Sequence, residues 1–147
     1  VLINVPAGDL MNGGEGLAAV PSKRRDFMDA VIKATEYADI LRPKFINVLP
    51  GCCFETYRLD QYMETFKSNL DHAADVFFEN GIKTVFEAAN TKDMPGFLIH
   101  NSEQMIQVLE DLNHSNIYLQ YDIYHMQTMG ENHLVFFQRY AEKVGDI

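Results

Sequence analysis

The chain has 147 residues, 47% of them hydrophobic, which fits one soluble globular domain with a continuous core and excludes a disordered segment. Twelve Lys and Arg stand against twenty-one Asp and Glu, a formal charge of -9 with no basic cluster, so nucleic acid is a poor partner. Cys52 and Cys53 are adjacent and can neither close a useful disulfide loop nor form a CxxC metal pair, no apolar run approaches the roughly 20 residues of a membrane span, and a cytoplasmic protein with reduced thiols is expected.

The chain opens without methionine in the apolar run VLINV and closes in GDI, so both ends read as cut. VLINV is the first of four short runs rich in Val, Ile, Phe and Tyr; KFINVLP, KTVFEAA and IYLQYDIY follow at the spacing of successive βα units. The glycines of MNGGEG, Met11 to Gly16, lie in a loop after the first strand. A first helix is predicted over Ser22 to Leu41, with Ser22 as N-cap and Phe27, Ala30, Val31, Ala34, Tyr37, Ala38 and Leu41 on one face.

The second helix carries Tyr62, Phe66, Leu70, Ala73 and Phe77 at spacings of three and four, and Gly81 ends it. A third opens at Ser102 with Met105, Ile106 and Leu109 inward. A fourth is predicted over Asn132 to Val144, with Asp146 and Ile147 beginning another strand. Strands apolar on both faces and separated by amphipathic helices imply a parallel sheet covered by helices. A doubly wound sheet and part of a TIM barrel both satisfy that pattern, but no GxGxxG or Walker A follows any strand to support a nucleotide-binding version.

Two carboxylates break the apolar runs. Glu87 sits in KTVFEAAN and Asp122 in LQYDIYHMQ, one βα unit later, and an ionised carboxylate in a buried strand is costly without compensation. Alternation puts both on one side of neighbouring strands, at the C-terminal ends where α/β barrels carry their active sites. Two converging carboxylates with nearby amide or carbonyl oxygens suit a hard divalent cation, Mg²⁺ or Mn²⁺ rather than zinc. His125, three residues past Asp122, is expected above such an ion, within reach of a ligand. His72, His100, His114 and His133 read as ordinary surface or packed residues, and the two cysteines as small buried hydrophobes.

VPAGDLMNGGEGLAAVP, NVLPG, FEAANTKDMPGF and LQYDIYHMQ, in this order and at these separations, resemble the hydroxypyruvate isomerase family of xylose isomerase-like TIM barrels. The likeness runs along essentially the whole chain. It implies an α/β fold in which residues 1–147 form one partial (β/α)8 barrel of about four βα units, similar to strands three to six. It also implies an isomerase that interconverts hydroxypyruvate and tartronate semialdehyde by metal-assisted proton transfer through an enediolate.

By that resemblance Glu87 is a metal ligand that takes part in proton transfer, Asp122 a second ligand, and His125 a substrate-binding or polarising residue. The family's other two ligands, one a second catalytic glutamate, belong to strands beyond Ile147, so the short chain alone is expected to be inactive. Lys92, in the loop after the Glu87 strand, is the candidate partner for the substrate carboxylate. The expected partner is a small hydroxy-oxo acid, and self-association through unpaired strand edges is expected of the chain alone. A ketose 3-epimerase using the same carboxylates, and a non-catalytic fragment, are the alternatives.

Overall fold

A computed structural model describes all residues, Val1–Ile147. Five strands form one parallel sheet in chain order: β1 (Leu2–Asn4), β2 (Phe45–Val48), β3 (Lys83–Glu87), β4 (Ile117–Gln120) and β5 (Val144–Asp146). Helices α1 (Arg24–Leu41), α2 (Leu59–Glu79) and α3 (Ser102–Leu112) cross between the first four strands, while α4 (Ile123–Thr128) and α5 (His133–Tyr140) lead into the fifth. Each strand pairs with its sequence neighbour, so the sheet is an open arc of a barrel with β1 and β5 at its edges.

The expected α/β half-barrel is thus present. Ile46, Val48, Phe86 and Leu119 are fully buried in the same core cluster as Phe27 and Val31 of α1, Phe66 and Leu70 of α2, and Met105 of α3. Phe66 meets Phe86 edge-to-face at 5.8 Å, a helix-to-sheet contact that exceeds simple area burial in value. On the opposite face, a Cβ added at Gly145 would meet the side chains of Val85, Tyr118 and Phe45 at 3.0 to 3.2 Å. These residues form a packed layer inside the arc, as barrel interiors require.

Several sequence expectations are corrected at element ends. Ser22 does not cap α1: Pro21–Lys23 form a 3-10 turn and Lys23 occupies the cap without a side-chain hydrogen bond. Tyr37 and Leu41 are about half exposed, so the buried face of α1 is narrower than its apolar pattern. The fourth helix stops at Tyr140; a 3-10 turn over Ala141–Lys143 follows, and Val144 is already strand. The strand of IYLQYDIY ends at Gln120, and its second half turns into α4, a helix the apolar run concealed.

Gly51 joins the strands to the loops above them. It adopts φ +81°, and a Cβ there would lie 2.3 Å from the Glu15 carbonyl oxygen. That close approach lets the β1–α1 loop seat on β2, with Cys52 N–H donating to the Glu15 carbonyl at 3.1 Å. Gly51→Ala combines a left-handed backbone with a backbone clash, so it is expected to cost about 2 kcal/mol or more, read as a lower midpoint in urea unfolding.

Candidate functional site

The loops at the C-terminal ends of β1, β2 and β3 are clamped before any reactive group is considered. The Glu15 carboxylate accepts from the Tyr62 hydroxyl at 2.6 Å and from the Phe54 N–H at 2.9 Å. Burial, and then the Glu15 hydrogen bond, push the Tyr62 phenol up to about 12, so it remains a donor at neutral pH. Cys53 N–H donates to the Gly96 carbonyl and Leu98 N–H to the Gly51 carbonyl, tying the β3 loop to the β2 loop. Both cysteines are buried within this clamp and burial raises their thiol pKa values, which suits the packing role expected of them.

Glu87 is the last residue of β3, directly opposite Gln120 on β4. Asn47 of β2 reaches across and donates its Nδ2 to Glu87 Oε1 at 2.8 Å and to Asn4 Oδ1 at 3.1 Å. Burial raises the Glu87 pKa; the Asn47 hydrogen bond lowers it, the Asp122 charge raises it, and His125 would lower it only when charged. The balance is upward. Desolvation and the Asp122 charge both favour the protonated form of this carboxyl.

Asp122 stands two residues beyond β4, as the N-cap of α4, and its Oδ1 accepts from the His125 N–H at 3.1 Å. The expected placement on the strand is therefore corrected to the strand-to-helix turn, although the carboxylate still influences Glu87. His125 lies in the first turn of α4, with Nε2 3.9 Å from Asp122 Oδ2. Lys92 is not brought into this group. It is exposed in the turn after β3 and forms no ion pair.

Sequence reasoning missed two amides. Asn47 is buried, and its Oδ1 has no hydrogen-bond partner; Gln120 Oε1 is likewise buried and unpartnered. Buried acceptors without donors are unusual enough to need an explanation. Asn47 turns its Nδ2 toward Glu87 and Gln120 stands opposite Glu87 in register, so the oxygens of Glu87, Asp122 and Gln120 are the ones that fit a hard divalent cation. No group of three or more His, Cys, Asp or Glu is placed to hold a metal ion on its own.

The remaining histidines keep ordinary roles. His114 Nε2 sits 2.7 Å from Asp75 on the outer helices, a carboxylate neighbour that the sequence did not reveal, and His133 lies between the Tyr121 hydroxyl and Gln127. No helix is long and apolar enough to cross a membrane.

Hydroxypyruvate isomerase of Escherichia coli strain K12 is 34% identical over 99% of this chain, which covers 57% of that protein. A 2-oxo-tetronate isomerase of Cupriavidus necator is 30% identical over 86% of the chain and 48% of its own length. The chain thus spans about half the length of the curated relatives it matches. A crystal structure described as an AP endonuclease, family 2, from Brucella melitensis superposes with a TM-score of 0.91 at 30% identity, over 98% of this chain and 55% of that one. With five parallel strands in barrel order, and a family model matching residues 2–147, the chain belongs to the xylose isomerase-like TIM barrel family.

Proposed function

We propose that the chain supplies the Glu87–Asp122–His125 side of an active site that isomerises small hydroxy-oxo acids, with hydroxypyruvate as the first substrate to test. The observation that carries this reading is the Glu87 carboxylate, desolvated, fixed at one oxygen by Asn47 and set beside Asp122 and His125. The names of the two isomerase relatives point to the same substrate class.

The reaction moves a proton from C3 to C2 of hydroxypyruvate, while a hydroxyl proton passes from O3 to O2. Glu87 is the group that takes the carbon proton. Its raised pKa brings it closer to neutral pH than a surface carboxylate, which favours exchange in both directions. Asn47 holds Oε1, leaving Oε2 to face the substrate. Glu87 and Asp122, with the Gln120 amide oxygen, would hold Mg²⁺ or Mn²⁺; such an ion would stabilise negative charge developing on the substrate oxygens. His125 binds a substrate oxygen from the first turn of α4. Lys92, exposed in the turn after β3, would meet a carboxylate that enters from solvent.

The test is turnover of hydroxypyruvate, 2-oxo-tetronate and a panel of ketoses by a complete barrel containing this chain, with duplex DNA as a parallel substrate. Isomerisation of an oxo acid, suppressed by chelator, is expected. Cleavage of DNA without isomerisation would favour the nuclease named for the Brucella structure, a reading the -9 charge opposes. In the same protein His125→Ala is expected to lower turnover about 100-fold while leaving bound Mn²⁺ unchanged. Metal loss in that variant, read by elemental analysis, would make His125 a ligand instead.

A further inference from the structure

The loop after β3 and the first turn of α4 are joined by a hydrogen-bond network that the proton transfer itself does not use. Asn90 is fully buried at its centre. Its backbone N–H donates to His125 Nδ1 at 3.1 Å, and its Nδ2 lies 2.8 Å from the same ring atom. Nδ2 also donates to Asp93 Oδ2 at 3.2 Å, while Asn90 Oδ1 accepts from the Asp93 N–H at 2.8 Å. The Tyr124 hydroxyl closes the network by donating to Asp93 Oδ2.

Two of these donors are unambiguous. A backbone N–H can only donate. The Asp93 N–H identifies the oxygen end of the Asn90 amide, so the other end is the NH₂ group and can only donate as well. His125 Nδ1 therefore faces two donors and must present a lone pair. In the neutral ring the proton then sits on Nε2, whose distance of 3.9 Å from Asp122 Oδ2 is beyond hydrogen-bond reach. That N–H is free for another acceptor.

We infer that Asn90 is a positioning residue that fixes His125 as the Nε2–H tautomer, so that the imidazole offers the site a neutral hydrogen-bond donor and not a base or a metal-binding lone pair. The inference deepens the isomerase reading and rests on it for the acceptor, a carbonyl or hydroxyl oxygen of the oxo acid. As the carbon proton leaves, negative charge grows on that oxygen, and a donor already fixed in place needs no reorganisation to meet it. Asp93 and Tyr124 act on His125 only through Asn90.

Long-range ¹H–¹⁵N NMR of a labelled complete barrel containing this chain reads the tautomer directly, at about pH 8.5 where an ordinary imidazole is neutral. The His125 signals are assigned by their disappearance in His125→Gln. A bare Nδ1 and a protonated Nε2 are expected. Asn90→Asp removes the side-chain donor and sets an acceptor against Nδ1, so the proton is expected to shift toward Nδ1. Tyr124→Phe loosens the same loop but keeps both Asn90 donors, and should leave the tautomer unchanged.

An Nδ1–H ring in the parent barrel would overturn the inference without any variant having to fold. So would an unchanged tautomer in a folded Asn90→Asp, or a switched one in Tyr124→Phe. The spectrum reads the ring whatever the protein turns over. An inactive complete barrel with an Nε2–H ring would sink the isomerase reading and leave this inference standing; an active one with an Nδ1–H ring would do the reverse.

Discussion

Glu87→Gln in a complete barrel that contains this chain is expected to lower hydroxypyruvate turnover by about 10² to 10⁴-fold, the range general acid–base catalysis contributes. Gln keeps the size of the side chain and an oxygen for the Asn47 Nδ2 hydrogen bond, so at Mn²⁺ concentrations that saturate the variant the loss reports proton transfer and not packing. The same substitution should stabilise the fold. Burial raises the Glu87 pKa, so the folded state holds this proton more tightly than the unfolded chain does. Stability then falls as pH rises from the ordinary carboxylate pKa through the raised folded one.

Gln carries no charge and has no such loss. In chelator at neutral pH the variant is expected to gain about 1 kcal/mol, the size of a single stabilising substitution, with the difference vanishing in acid below the ordinary carboxylate range. Urea unfolding of the complete barrel at two pH values reads this without any activity. Turnover within tenfold of the parent would remove Glu87 from the chemistry, while a variant less stable at neutral pH would mean that its charge is better compensated than its surroundings show.

Glu87 was legible in the sequence because a charge in an apolar strand is expensive, and expense is what a single sequence displays. Asn47 and Gln120 were not. A buried amide costs less than a buried carboxylate, and an Asn or Gln in a strand gives no sign of which of its atoms lacks a partner. The importance of Asn47 arises from β2 lying next to β3, a pairing that no spacing encodes. Asn90 was hidden for the same reason, since its partner His125 is 35 residues away on another βα unit.

The parallel sheet covered by helices was readable from apolar runs alternating with amphipathic helices, and the family resemblance selected a barrel over a doubly wound sheet. Element ends were less so. Pro21 pre-sets a 3-10 turn that displaces Ser22 from the cap of α1, and the apolar run IYLQYDIY continues past its strand because Tyr121 and Met126 are buried on either side of the turn into α4. A carboxylate followed three residues later by a backbone N–H it can accept from is an N-cap pattern, and at Asp122 that local signal was outweighed by the hydrophobic run.

That second role of Asp122 makes it possible to separate structure from metal binding. Asn caps a helix about as well as Asp, so Asp122→Asn should retain the hydrogen bond from the His125 N–H and change chain stability by only a few tenths of a kcal/mol. Asp122→Ala loses the acceptor and should cost about 1 kcal/mol. For a hard cation the order differs, because a neutral amide removes one of the two carboxylate charges that hold it. In the complete barrel Asp122→Asn is expected to weaken Mn²⁺ binding at least about 10-fold, since even residues that only support a ligand typically cost 10 to 100-fold. Calorimetric titration with Mn²⁺ beside urea unfolding of all three proteins gives both orders. Parent-like Mn²⁺ affinity in a stable Asp122→Asn protein would reduce Asp122 to a helix cap and leave Glu87 as this chain's only charged ligand.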